Sequence, residues 1–221
     1  CVLCGKCVEE CTTLAMEMSG TEYSLDYLTE QMRKEIPVID GSGGGVTFCG
    51  GEPLMHPEML LALLDRAAGL GLHRAVDTTL FARPELVKQV MSNCELFLVD
   101  LKLMDSEKHR FYCKVPNELI LSNIRMVSEA GHPFFIRIPL IEGVNADEEN
   151  ITKSADFLAS LPNPPEVINL LPYHDIGKNK HEKLGTVYNP DNIPMSAPSE
   201  EWQRHCLDIF KDRGLNAEIR G

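Results

Sequence analysis

The chain has little basic charge and no long apolar run. Its 221 residues include 21 Lys and Arg against 33 Asp and Glu, for a formal net charge of −12. A chain this acidic repels phosphate backbones, so we expect no nucleic-acid partner. No stretch approaches the roughly 18 consecutive apolar residues of a membrane span, and no signal peptide is recognisable. We therefore expect no membrane association and a cytoplasmic location.

Cysteine is concentrated at the start of the chain. Four of the eight cysteines follow the C-x2-C-x2-C-x3-C spacing of bacterial ferredoxins, although Thr12 stands where a ferredoxin has proline. In two-cluster ferredoxins the fourth cysteine ligates the other cluster, so Cys11 either shares the cluster of the first three or belongs to a second. A zinc knuckle and a disulfide pair are the alternatives, but zinc sites favour two separated cysteine pairs. We expect iron–sulfur ligands at Cys1, Cys4, Cys7 and Cys11.

Beyond the cysteine-rich residues 1–20, strand-like and helix-like segments alternate. Such alternation is typical of parallel βαβ units and predicts an α/β fold. About six strands are predicted, fewer than the eight of a closed barrel. The strands fall at 46–49, 74–78, 95–101, 133–140, 166–171 and 216–219, and the helices at 24–35, 57–70, 84–91, 106–112, 117–130, 146–161 and 199–213.

Polar residues stand at or just after the ends of these strands. In parallel α/β folds the carboxyl ends of the strands meet at one edge, where the chemistry is usually located. We therefore expect one functional rim that contains Gly50, Gly51, Glu52, Asp77, Thr78, Asp100, Lys102, Arg137 and His174.

The first two strand ends suggest ligand contacts. Gly50 and Gly51 allow the backbone to approach a ligand closely, and Glu52 can accept hydrogen bonds from an ammonium group. Asp77 and Thr78 offer oxygens for a small cation or a polar ligand. A plain strand-to-helix turn and a helix cap are the alternatives for these two groups.

The later strand ends carry charge. Asp100 and Lys102 lie two apart and point the same way on an extended strand, either as an ion pair or toward a ligand. Arg137 lies on an apolar strand and needs an anionic partner, for which a ligand carboxylate would serve. His174 is either a ligand or a structural histidine.

Five segments together resemble the glycyl-radical-enzyme activating enzymes, which are radical SAM proteins and include the pyruvate formate-lyase activating enzyme. The resemblance covers nearly the whole chain. It implies a partial (β/α)6 TIM-like barrel in which a [4Fe-4S] cluster and S-adenosylmethionine generate a 5′-deoxyadenosyl radical. That radical takes a hydrogen atom from a glycine of a partner enzyme. The segments are VTFCGGEPLMHPE, FLVDLKLMD, NELILSNIRMV, RIPLIEGVN and LLPYHDIGKNKHEKLG.

The resemblance also implies partners. The protein substrate is a glycyl radical enzyme, such as pyruvate formate-lyase, a glycerol or diol dehydratase, a decarboxylase or a choline lyase. The electron donor is a flavodoxin or a ferredoxin.

Residue roles follow from the resemblance position by position. The glycine loop would bind the methionyl amino group. Asp77 and Thr78 would contact the cofactor or a nearby monovalent cation, and Asp100 would contact the same cation. Lys102 would lie near the cofactor carboxylate. The cysteine run would hold an auxiliary [4Fe-4S] cluster. The implied catalytic residues are Lys102 and Asp100, and the implied cofactor-binding residues are Gly50, Gly51, Glu52, Asp77, Thr78, Lys102, Arg137 and His174.

The chain departs from the family pattern in one important way. The C-x3-C-x2-C motif that binds the catalytic cluster is not found in it. We expect residues 1–20 to be the remnant of a ferredoxin-like insert and residues 21–221 a barrel without its first strand and cluster loop. Such a fragment would be inactive alone. Thr79 and Lys114 also differ from common family residues.

Three other interpretations of the function are also compatible with the sequence. The chain could belong to another radical SAM peptide-modifying enzyme with auxiliary clusters. It could be a ferredoxin-type electron-transfer module on an inert barrel. It could also be an aldolase-like enzyme that uses Lys102 as a Schiff-base lysine, with zinc on the cysteines.

Overall fold

One open sheet of six parallel strands organises the molecule. The computed structural model describes residues 2, 4–18, 20–177, 181, 184–189 and 191–220. The strands lie in chain order, each parallel to the next, and the sheet does not close. This confirms the predicted α/β class. The strands are β1 (Val46–Phe48), β2 (Arg74–Thr78), β3 (Leu96–Asp100), β4 (Phe134–Leu140), β5 (Val167–Pro172) and β6 (Ala217–Ile219).

One or two α-helices lie between each pair of successive strands and form the crossover connections of the parallel sheet. A 3-10 turn, Pro53–Met55, directly follows the loop after β1. Within the described residues, no helix is long and apolar enough to cross a membrane. The α-helices are α1 (Lys6–Glu9), α2 (Leu25–Ser42), α3 (Pro57–Gly69), α4 (Pro84–Met91), α5 (Ser106–Cys113), α6 (Glu118–Glu129), α7 (Glu148–Ala159) and α8 (Glu200–Lys211).

The two faces of the sheet have different roles. Along β4 the side chains of Ile136 and Ile138 are fully buried in the hydrophobic core, together with Leu64 of α3 and Ile124 of α6. The alternating residues of β4 point to the other face and are half-buried. Because side chains alternate along a strand, Arg137 must lie on the face away from this core. Alternate residues of β4 therefore serve different purposes: one set packs in the core and the other, which includes Arg137, is available for the functional site.

Helix α2 extends beyond its predicted end. The hydroxyl of Ser24 accepts a hydrogen bond from the Tyr27 N–H at 3.1 Å, which confirms the predicted cap. The predicted end at residue 35 is wrong, because the helix continues through Pro37 to Ser42. Ile36 and other apolar residues of this last part pack on a small cluster around Leu72. Tertiary packing thus overrides the helix-breaking tendency of proline.

The start of β1 requires a glycine. A Cβ atom on Gly45 would lie 2.4 Å from the carbonyl oxygen of His73. The Val46 N–H donates to that same carbonyl oxygen at 2.8 Å. A side chain at position 45 would therefore push β1 away from β2 and shift the loop that follows β1.

Candidate functional site at the carboxyl edge of the sheet

Charged residues from three strands form one connected group. The Nε and Nη2 atoms of Arg137 donate to Asp100 Oδ1 at 3.1 and 2.9 Å, and Nη1 donates to Asp77 Oδ2 at 2.7 Å. The Lys102 ammonium lies 3.4 Å from Asp100 Oδ2. Strand register explains the pairing, because Asp100 of β3 stands opposite Arg137 of β4. We call these four residues the charge chain.

The charge chain supplies the anionic partners that Arg137 needs. They are Asp77 and Asp100 of the same chain, and the predicted contact of Arg137 with the cofactor stays a prediction. The guanidinium bonds both aspartates to which the resemblance assigns a monovalent cation, and that cation site stays a prediction. Lys102 and Asp100 point to the same side, as their spacing predicts, and do form an ion pair.

Burial sets the electrostatics of the charge chain. Removal from water raises the pKa of Asp77, and the neighbouring Arg137 offsets this only in part. Burial also opposes the charged form of Arg137, but the carboxylates of Asp100 and Asp77 outweigh it and raise its pKa. The two carboxylates and the two cations of the charge chain sum to no net charge. Their side chains are partly exposed, from 19% for Asp77 to 35% for Lys102.

An asparagine fixes the segment that carries Lys102. The buried Asn145 donates from Nδ2 to the carbonyl oxygens of Lys102 at 2.9 Å and Pro139 at 2.6 Å. Its Oδ1 accepts from the Ile141 N–H at 2.9 Å. The side chain of Asn145 therefore links the segment after β3 to the segment after β4 through hydrogen bonds, one of which is to the backbone of Lys102.

Glu52 is a clamp between the loop after β1 and the end of β2. Its Oε1 accepts from the Leu54 N–H at 3.1 Å and the Thr78 hydroxyl at 2.6 Å. Its Oε2 accepts from the N–H and the hydroxyl of Thr79 at 2.8 and 2.6 Å. A carboxylate has about four acceptor positions, and this one uses four. Glu52 is therefore hydrogen-bonded within the chain, and its predicted contact with an ammonium group stays a prediction.

The glycines before Glu52 face open space. A Cβ atom on Gly50 or Gly51 would meet no heavy atom within 4 Å, and neither residue has a positive φ. Neither backbone conformation nor internal packing therefore requires glycine at these two positions. Their bare backbone borders a cavity of about 610 Å³ that is also lined by Phe48, Cys49 and Met59.

A smaller cavity adjoins the charge chain. It has a volume of about 240 Å³ and shares Glu52 and Met55 with the larger one. Its walls combine polar and apolar side chains, as ligand sites do. The lining residues are Glu52, Met55, Thr79, Phe81, Asp100, Lys102, His109, Cys113, Val115 and Ile120.

The structure does not bring every predicted residue into this group. Thr78 is buried and reaches the site through Glu52. His174 follows β5 and is exposed, and no contact among the described residues joins it to the charge chain. Its predicted role stays a prediction.

Sequence reasoning missed two polar residues at this face. His109 of α5 is 4% exposed and lines the smaller cavity. Asn169 of β5 stands in register beside Arg137, and its Oδ1 is buried without a hydrogen-bond partner among the described residues. Asn169 could have been found from the sequence, because it is the one polar residue of the apolar strand VINLLP.

The cysteine-rich start is only partly described. Cys1 lies outside the described residues, Cys4 and Cys7 are exposed, and Cys11 is half-buried. A hydrogen bond from Thr13 lowers the pKa of Cys11. In the described part of the chain, no three His, Cys, Asp or Glu side chains converge as metal ligands do. The auxiliary cluster therefore stays a prediction.

Known proteins with similar sequences belong to the family that the sequence resembles. The model of the radical SAM superfamily matches residues 9–155. The trans-4-hydroxy-L-proline dehydratase activating enzyme of Clostridioides difficile is 37% identical over 94% of this chain and 68% of its own length. The pyruvate formate-lyase 2-activating enzyme of Escherichia coli is 32% identical over 100% of this chain and 75% of its own length.

A solved structure extends the similarity to three dimensions. A crystallised domain of pyruvate-formate lyase-activating enzyme from Bacteroides vulgatus is 60% identical, with a TM-score of 0.69. The match covers 80% of this chain and 99% of that one.

This chain belongs to the radical SAM superfamily. Its relatives are activating enzymes of glycyl radical enzymes, which confirms the family predicted from the sequence. The superfamily implies S-adenosylmethionine and a [4Fe-4S] cluster as cofactors, and the relatives act on protein partners.

Proposed function

We propose that this chain forms the cofactor-binding barrel of an activating enzyme that installs a glycyl radical on a partner enzyme. In this chemistry, S-adenosylmethionine and a reduced [4Fe-4S] cluster supply a 5′-deoxyadenosyl radical that removes a hydrogen atom from glycine. The observation that carries the proposal is the charge chain beside a bare glycine loop, at one edge of a parallel sheet.

The residues present fit the amino-acid end of the cofactor. Lys102 borders the smaller cavity and is 35% exposed, so its ammonium can meet a ligand carboxylate. Arg137 stands behind it, linked through Asp100. Gly50 and Gly51 leave backbone open where a Cβ would occupy the larger cavity. Proximity and orientation, rather than new bonds, are what these residues contribute.

The roles of the other predicted groups are part of the proposal. Cys4, Cys7 and Cys11 would hold an auxiliary cluster together with Cys1. His174 would contact the cofactor from the end of β5. A flavodoxin or ferredoxin would supply the electron, and a glycyl radical enzyme such as pyruvate formate-lyase would be the protein substrate.

Because the chain contains no C-x3-C-x2-C sequence, we propose that it needs a cluster loop from elsewhere in the protein to cleave the cofactor. The complete gene product, reconstituted anaerobically with iron and sulfide and then reduced, should release 5′-deoxyadenosine from S-adenosylmethionine. The 221-residue chain treated in the same way should release none.

A substitution at Lys102 distinguishes an effect on cofactor binding from an effect on folding. Lys102→Met in the complete protein should weaken S-adenosylmethionine binding by at least about tenfold, as expected for a lost charge-assisted hydrogen bond. Its melting temperature should change little, because Lys102 is 35% exposed and its ion pair with Asp100 is long. A complete, reduced protein that forms no 5′-deoxyadenosine would defeat the proposed function.

A further inference from the structure

A further cavity lies beside the candidate site, on the carboxyl side of the sheet. It has a volume of about 610 Å³ and is bordered by α5, by the loop between β4 and α7 and by the start of α8. Lys108 and Tyr112 of α5 line it, whereas His109 and Cys113, one position further along the same helix, line the smaller cavity. Helix α5 therefore contributes to the walls of both cavities. We call the new cavity the outer pocket, and the lining residues that matter for its chemistry are Lys108, Tyr112, Glu142, Asp147 and Trp202.

Hydrogen bonds hold the walls of the outer pocket in place. The Glu142 N–H donates to the carbonyl oxygen of Ser196 at 2.9 Å. The indole N–H of Trp202 donates to the carbonyl oxygen of Ala146 at 2.6 Å, which fixes the ring against the loop after β4. Asn145 of the same loop donates to the carbonyl oxygen of Lys102. The pocket is therefore formed before any ligand arrives and is linked to the segment that carries Lys102.

Aromatic rings and a carboxylate face this pocket together. The single hydrogen-bond donor of the Trp202 indole is already used, so the ring offers apolar surface to a ligand, and Tyr112 adds a second half-buried ring. Glu142 is exposed, and its Oε2 accepts from the Ser196 hydroxyl at 3.2 Å. Among the described residues, no cation lies within ion-pair distance of the Glu142 carboxylate.

The charge balance of the outer pocket favours a cation. Its lining holds two carboxylates and one ammonium group. The ammonium of Lys108 lies 3.7 Å from Asp147 Oδ2, so it is directed to Asp147, and Glu142 is left without compensation. The chain as a whole carries a formal charge of −12, which adds a long-range attraction for basic segments.

Of the cationic side chains, arginine fits this combination best. A guanidinium is planar and weakly hydrated, so its face can stack on an aromatic ring while its N–H groups donate to a carboxylate. A lysine ammonium is a compact, strongly hydrated charge that cannot do both equally well. The outer pocket offers both kinds of partner, the rings of Trp202 and Tyr112 and the carboxylate of Glu142.

We propose that the outer pocket binds an arginine side chain of the partner enzyme and so positions a segment of that enzyme beside the candidate site. The identity of the partner rests on the proposed function, in which a glycine of another protein must reach the cofactor. Glu142 accepts hydrogen bonds from the guanidinium, and Trp202 and Tyr112 contact its face. Because the walls are already ordered, little conformational freedom is lost on binding.

The probe is the peptide acetyl-Gly-Arg-Gly-amide, and its neutral analogue carries citrulline in place of arginine. The complete protein is labelled with 5-fluorotryptophan, and the fluorine signal of Trp202 is assigned with the variant Trp202→Phe. The arginine peptide should shift this signal to saturation in the millimolar range. The citrulline peptide should bind at least about tenfold more weakly, because it keeps the shape of the side chain but lacks its charge.

Substitutions distinguish the pocket from non-specific attraction to an acidic protein. Glu142→Gln should bind the arginine peptide at least about fivefold more weakly, with a nearly unchanged melting temperature because glutamine retains an acceptor for Ser196. Tyr112→Leu should also weaken binding. Glu166→Gln is the matched control and should bind like wild type, because Glu166 is an exposed glutamate that lines a different cavity with Cys94 and His132.

The outcomes distinguish this proposal from the proposed function. If the complete, reduced protein forms 5′-deoxyadenosine but the Trp202 signal does not respond to the arginine peptide, only the role of the outer pocket is overturned. Equal binding of the citrulline peptide, or equal binding by Glu142→Gln and wild type, would also overturn it, since the occupant would then not be recognised by its charge. If the arginine peptide binds but no 5′-deoxyadenosine forms, the proposed function fails, and the assignment of the arginine to a glycyl radical enzyme fails with it.

Discussion

Replacing Arg137 by methionine should strongly destabilise the protein. Arg137 makes three hydrogen bonds to Asp77 and Asp100, whose side chains are only 19% and 20% exposed. Removing one partner of a buried ion pair costs about 3–5 kcal/mol, since the remaining charges lose their compensation. Partial exposure reduces this, and we expect a loss of about 3 kcal/mol in the free energy of unfolding. For a chain of this size that corresponds to roughly 6–12 °C in melting temperature.

The loss should depend on pH in a defined direction. Burial raises the pKa of Asp77, and Arg137 offsets part of that rise. A carboxyl whose folded-state pKa is raised binds more protons folded than unfolded, so stability falls as pH rises from its ordinary pKa through its raised one. Arg137→Met raises the pKa of Asp77 further. The variant should therefore differ from wild type more at about pH 7.5 than at about pH 4.5.

Urea unfolding of the 221-residue chain at both pH values measures this. The double variant Asp77→Asn/Arg137→Met should regain part of the lost stability at the higher pH, because one uncompensated charge is gone. Arg33→Met is the control, since the Arg33 pair with Glu30 is over half exposed on both sides and is worth about 0–1 kcal/mol. A loss no greater than that of the control, or one independent of pH, would refute the reasoning.

Three further predictions concern single side chains. Glu52→Gln should lower the free energy of unfolding by about 1–3 kcal/mol, because an amide nitrogen cannot accept from Thr79; an unchanged urea midpoint would contradict the clamp. Burial raises the pKa of Cys94 to about 12, so iodoacetamide at about pH 8 should label the exposed Cys49 well before Cys94, as peptide mass spectrometry would detect. Asn169→Leu removes a buried oxygen without a partner and should raise the urea midpoint, by about 1 kcal/mol in free energy; a lower midpoint would show that the amide is satisfied in solution.

Local pattern was enough to place the strands and most helices. The strands β2 to β5 lie within one or two residues of their predicted limits, because each is a short apolar run between turn residues. The error in α2 has a physical source. Its last turns are helical through Pro37 because Ile36 and Ile39 are covered by the cluster around Leu72. Such long-range packing is not visible in a local sequence window.

The candidate site divides in the same way. The sequence by itself predicted that Glu52, Asp77 and Arg137 lie at one edge, since polar residues at the ends of parallel strands share that edge, but it missed His109 and Asn169. It did not determine their partners. Glu52 is bound by residues 26 and 27 positions away, and Arg137 pairs with Asp100 at a separation of 37 and with Asp77 at 60. Only the lateral register of β2, β3 and β4 decides those contacts, and that register is set by the packing of the whole sheet against its helices.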